Sequence, residues 1–99
     1  MNEMQGKVCA VTGGAGSVGV ASARALLDAG AATVLLVDRD ARQLDAARAT
    51  LGGDTARIDV AVADVTDAAQ TRAWIAQAQA RGGGIDFLFC NAGINGAIA

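Results

Sequence analysis

Three glycines, Gly13, Gly16 and Gly19, fall three residues apart, directly after the short apolar run Val8-Cys9-Ala10-Val11. This spacing suits a turn that brings backbone close to a phosphate. Side chains would stand in the way, while free N–H groups at the start of a following helix face the anion with the helix dipole behind them. Asp38 ends the next apolar run, 19 residues after Gly19. A carboxylate at that distance can accept the hydroxyls of an adenosine ribose, and it repels a 2′-phosphate. The pair therefore points to a dinucleotide, NAD in preference to NADP. Arg39, which could grip a 2′-phosphate, is the opposing residue. The plainer alternatives are a tight glycine-rich loop without a ligand and an Asp38 that only closes a strand.

Other chemistry is excluded by absence. The chain has no His and no Tyr, which removes His-based triads and His-metal sites together. Its single lysine is Lys7. Cys9 and Cys90 have no CxxC partner, so zinc and dithiol readings fail. They read as free thiols in a reducing compartment, diagonal on neighbouring strands, with Cys90 level with Val11. The formal net charge of −2 is not the basic surplus that nucleic acid requires. No run approaches the roughly 18 apolar residues of a membrane helix, and the N-terminus carries no apolar signal region. The expectation is a soluble cytoplasmic protein with no nucleic-acid or membrane partner.

The elements that must hold the turn follow from pattern. Ninety-nine residues make one domain. The hydrophobic fraction is 53%, almost half of it alanine, so the core is built of small side chains. Runs apolar at every position, Val8 to Val11 and Thr33 to Val37, fit strands buried on both faces. A helix from Val18 to Ala29 is stopped by Gly30. Asp40 with Gln43, and Asp67 with Gln70, have the spacing of capping boxes. They open one helix whose face carries Leu44, Ala47 and Leu51, and another running to about Ala80. On the latter, Ala69, Ile75 and Ala76, with Trp74 on the flank, are expected to meet the sheet. Arg57 to Ala63, with Ile58, Val60 and Val62 on one parity, alternates as a strand near an edge. Ile85 to Phe89 is the fourth strand. Short connections with one helix each give parallel strands and right-handed crossovers. The predicted architecture is α/β: the first half of a Rossmann-like, doubly wound parallel sheet, β-α-β-α-β-α-β, in order 3-2-1-4.

Thr12-Gly13-Gly14-Ala15-Gly16-Ser17-Val18-Gly19, Asp38, Asp64-Val65 and Asn91-Ala92-Gly93 together resemble the short-chain dehydrogenase/reductases, in order and over essentially the whole chain. Ser17 stands where the typical Thr-Gly-x-x-x-Gly-x-Gly has its middle glycine. Gly16 fits the Thr-Gly-x-x-Gly-x-x-Gly of the extended, sugar-nucleotide branch. Asn91-Ala92-Gly93 belongs to the typical branch, with Cys90 in place of a preceding Asn. The resemblance implies an oxidoreductase acting on an alcohol or carbonyl. It puts Gly13, Ser17, Val18 and Gly19 along the cofactor's ribose and phosphates and Asp38 on the adenosine ribose. Asp64 accepts from the adenine amino group, Val65 meets the ring through its backbone, and Asn91, Ala92 and Gly93 line the adenosine side. The family's Tyr-x-x-x-Lys is absent, so no catalytic residue is assigned.

The chain reads as the truncated cofactor part of an NAD-dependent enzyme. Its fourth strand is expected to pair with the remaining half of the fold or with a second copy. A non-catalytic nucleotide-binding module and a sugar-nucleotide epimerase or dehydratase are the alternatives.

Overall fold

The computed structural model describes residues 3–54 and 56–91. Ala92 and Gly93, two of the expected site residues, lie outside them. Four parallel strands, β1 (Val8–Thr12), β2 (Thr33–Asp38), β3 (Ile58–Val62) and β4 (Phe87–Cys90), form one sheet in the order β3-β2-β1-β4. The connecting helices are α1 (Ser17–Asp28), α2 (Ala41–Thr50) and α3 (Ala68–Gly82). The expected topology is the observed one.

Strand parity sorts the core into two layers. Cys9, Val11, Val34, Leu36 and Ile58 face α1 and α2, meeting Ala23, Leu26, Leu44 and Ala47. Ala10, Leu35, Val37, Ala61 and Ala63 face α3, meeting Trp74 and Ala78. All five β1 residues are buried, as a strand covered on both faces requires. β4, at the sheet edge, leaves Phe87 and Leu88 39% and 44% exposed.

Two expectations are corrected here. The buried stripe of α3 is Trp74 and Ala78, flanked by the half-buried Thr71 and Ile75, whereas Ala69 and Ala76 are exposed. Burying one indole outweighs burying two methyl groups, so the helix turns its tryptophan inward. Cys90 pairs in register with Thr12, and Val11 pairs with Phe89. β4 thus sits one residue from the expected alignment, and Cys90 is exposed while Cys9 is buried.

Both predicted N-caps form. Asp40 Oδ1 accepts from the Arg42 and Gln43 amides at 3.0 and 3.1 Å, and Asp67 Oδ1 accepts from the Gln70 amide at 3.0 Å. In both boxes the cap amide donates elsewhere, that of Asp40 to Asp38 Oδ1 at 3.3 Å. The Asp67 amide already donates to the Asp64 carbonyl at 3.0 Å, so Gln70 Oε1 accepts from the Asp64 amide instead, at 2.7 Å. This ties the β3–α3 loop to its helix. At the far end of α1, the Arg57 guanidinium donates to the Leu27 carbonyl at 2.7 Å and the Ala31 carbonyl at 2.8 Å. That clamp fixes α1 against β3, and with it the position of the glycine turn.

Candidate functional site

The C-terminal ends of the strands gather those expected residues that are described. β1 leaves Thr12 through Gly13, whose φ of +68° suits glycine. The Gly14 amide then donates to the Val37 carbonyl at 3.0 Å, drawing the turn across the end of β2. A Cβ on Gly14 would lie 2.9 Å from the Leu36 Cβ. A Cβ on Gly19 would overlap the Gly13 carbonyl oxygen and lie 2.8 Å from the Gly14 Cα, so α1 packs against its own turn only because Gly19 has no side chain. Gly16 differs: it is exposed, and a Cβ there would meet only the Gly13 carbonyl oxygen at 3.5 Å, an ordinary contact. Among the described residues, packing gives no reason for a glycine at this position.

Gly16 is also the N-cap of α1 and supplies no side-chain acceptor. Among the described residues, the amides of Ser17, Val18 and Gly19 have no protein acceptor, and the first turn of α1 holds no acidic residue. At α2 and α3 the corresponding donors are taken by Asp40 and Asp67. The start of α1 is an open, positively polarised donor set.

Asp38 stands beside it. Its Oδ2 accepts from the Ala15 amide at 3.3 Å, and its Oδ1 accepts from the Arg39 amide at 2.8 Å and the Asp40 amide at 3.3 Å. β2 and β3 run in register to Asp38 and Val62, which brings the Asp64-Val65 loop to the same end of the sheet. Asp64 Oδ1 accepts from the Thr66 hydroxyl at 2.6 Å and the Thr66 amide at 2.9 Å. The hydroxyl bond, then the amide bond, then the positive charge of Arg39 hold the Asp64 carboxyl below its ordinary value. The Val65 amide has no protein acceptor among the described residues. A carboxylate acceptor next to a free amide donor matches the amino group and adjacent ring nitrogen of an adenine.

A depressed carboxyl pKa stabilises the folded loop above the unfolded-state pKa. That contribution fades as pH falls through the lowered folded value. The Asp64–Thr66 turn is therefore intact at neutral and mildly acidic pH. Thr66→Val removes the shorter donor. The Asp64 titration midpoint, followed by carboxyl-carbon NMR, is expected to rise toward the ordinary aspartate value. An unchanged midpoint would mean that the hydroxyl does not hold the charge.

One positioning residue is named in the sequence motif without a role of its own. Thr12 is buried, its hydroxyl donates to the Phe89 carbonyl at 3.4 Å, and its oxygen accepts from the Asn91 amide at 3.1 Å. It joins the exits of β1 and β4 and places Asn91, which is 8% exposed. A threonine ending an otherwise apolar strand was the available signal.

Cys9 is buried in β1, in the layer that faces α1 and α2. Burial first, and the nearby negative charge of Asp86 second, push its thiol pKa up, so it stays protonated. Both cysteines are free. No group of three His, Cys, Asp or Glu able to hold a metal occurs among the described residues, and none of their helices is long and apolar enough to cross a membrane.

The comparisons with known proteins agree with this geometry. The family model described as short chain dehydrogenase matches residues 7–99. The chain is 34% identical over 99 residues to (-)-isopiperitenol/(-)-carveol dehydrogenase of Mentha piperita, covering 100% of this chain and 37% of that one. It is 39% identical over 92 residues to (+)-borneol dehydrogenase 1 of Salvia officinalis, covering 92% and 34%. Among solved structures, a glucose/ribitol dehydrogenase from Brucella melitensis superposes with TM-score 0.79 at 37% identity over 87% of this chain and 35% of that one. An NAD+-bound xylitol dehydrogenase superposes with TM-score 0.79 at 31% identity, covering 87% and 33%. The chain spans about a third of the length of the relatives it matches. With the glycine turn, the strand-end acid and the 3-2-1-4 sheet all in place, it belongs to the short-chain dehydrogenase family.

Proposed function

We propose that this chain is the cofactor-binding part of an NAD-dependent oxidoreductase that exchanges a hydride between the nicotinamide and a small alcohol or carbonyl compound. The observation that carries the reading is Gly16. Among the described residues no packing contact requires its missing side chain, and it sits at the N-cap of α1, ahead of the open Ser17, Val18 and Gly19 amides and one residue from Ala15, whose amide donates to Asp38. The residues fit the dinucleotide. Amides of Ser17 and Val18 would take the diphosphate oxygens, with Gly13 and Gly19 giving the close approach. Asp38 would accept from the adenosine ribose, Asp64 and Val65 would meet the adenine, and Asn91, Ala92 and Gly93 would line the adenosine side. When bound, NAD supplies the hydride acceptor; this chain's residues bind and orient it.

They do not move the substrate's proton. The chain has no tyrosine, and its lone Lys7 precedes β1, about 16 Å from the glycine turn at five residues of roughly 3.3 Å each. Without such a group the chain alone turns nothing over. The exposed outer side of β4 is a pairing template, and we assign it to the rest of the fold or to a second copy. Two free thiols suit a reducing, cytoplasmic setting.

Calorimetric titration of the chain tests the reading. NAD is expected to bind at least tenfold tighter than NADP, about 1.4 kcal/mol, because a 2′-phosphate would meet the Asp38 carboxylate. Equal affinity, or tighter NADP, overturns it.

A further inference from the structure

We propose that Asp38 has a second task, as a positioning residue for the glycine turn. Its carboxylate takes three backbone donors from two segments: Arg39 and Asp40 on its own strand exit through Oδ1, and Ala15 in the turn through Oδ2. A carboxylate offers about four acceptor sites, so one remains open, on the side of the oxygen that Ala15 already occupies. The Ala15 bond is a side-chain cross-link between the end of β2 and the middle of the turn, beside the backbone bond from Gly14 to Val37. The amides on either side of Ala15 are occupied within or under the turn, Gly14 by the Val37 carbonyl at 3.0 Å and Gly16 by the Gly13 carbonyl at 3.2 Å. Asp38 therefore completes a run of three consecutive satisfied amides, followed by three, Ser17 to Gly19, with no protein acceptor among the described residues. Asparagine has a single acceptor oxygen and would turn an NH2 group toward one of the two donor sets. Ribose recognition and phosphate grip share one side chain, and a substitution that removes Asp38 to admit a 2′-phosphate loosens the grip on the diphosphate.

The ligand consequence rests on the dinucleotide reading; the loop consequence does not. Amide hydrogen exchange, read by NMR on the unmodified chain, is expected to be at least tenfold slower at Ala15 than at Ser17 and Val18. In Asp38→Ala the Ala15 rate is expected to rise to theirs. The ligand probe is 2′,3′-dideoxyadenosine diphosphate, which has the diphosphate but no hydroxyl for Asp38. Asp38→Ala is expected to bind it about three- to tenfold more weakly, the loss of a modest hydrogen bond, although a negative charge beside an anion has been removed. An Ala15 amide that exchanges as fast as Ser17 in the unmodified chain overturns the proposal. So does a variant that binds the probe as tightly as the unmodified chain or tighter. If the unmodified chain binds no probe, the dinucleotide reading fails, and Ala15 exchange still decides the positioning role. That comparison also decides it if Asp38→Ala does not fold.

Discussion

Gly19→Ala is expected to lower stability and dinucleotide binding together. The added Cβ would overlap the Gly13 carbonyl oxygen and sit 2.8 Å from the Gly14 Cα. Both are backbone atoms of a turn pinned by the Gly14–Val37 and Ala15–Asp38 bonds, so no rotamer change relieves the overlap. α1 must move off the turn, and Ala23 and Leu26 on its inner face then lose contact with Cys9, Val11 and Leu36. Overpacking of this kind costs about 3 kcal/mol. For a domain of this size that corresponds to a melting temperature lower by roughly 10–20 °C. A urea or thermal melt within 3 °C of the unmodified chain would mean that α1 does not pack as described.

Gly16→Ala is expected to divide the two effects. Its Cβ meets only the Gly13 carbonyl oxygen at 3.5 Å, and the φ of −77° suits any residue. The stability cost is that of a poorer N-cap, about 1 kcal/mol or less. The same methyl would be added at the N-cap, adjacent in the chain to the open Ser17 and Val18 amides that the proposed diphosphate would approach. NAD affinity is expected to fall at least tenfold with the melt nearly unchanged. Unchanged affinity would show that the space before Gly16 is not the ligand's.

These two variants mark the limit of sequence reading at the turn. Spacing shows three equivalent glycines. The fold separates them, because only the structure reveals that Gly19 is pressed against its own turn while Gly16 faces solvent. The sheet order was legible because β1 and β2 are apolar at every position and each connection holds a single helix. Asp38 was legible as a strand-end acid, but not its bond to Ala15, which depends on how the turn folds back over β2. The α3 face was misread because Ala69 and Ala76 fit a helical stripe as well as Thr71, Trp74 and Ala78 do. Bulk, not periodicity, decides which stripe turns inward. The Cys90 register shifted by one residue because strand exits do not align to the residue in a twisted sheet. Thr12 was legible as the head of the glycine motif, but not its task, which lies across the sheet at Phe89 and Asn91.

The central claim is that the end of the sheet formed by the glycine turn, Asp38 and Asp64-Val65 holds NAD. Titrating isotope-labelled chain with NAD while recording amide shifts tests it most directly. The account predicts saturable shifts greatest at Ser17, Val18, Gly19, Arg39 and Val65, with Gly82 to Gly84 still, since Gly82 packs against Val8 at the start of β1. Shifts that gather instead along the apolar groove of Met4, Ala25, Phe87 and Phe89, or no saturable shift at the start of α1, would contradict it.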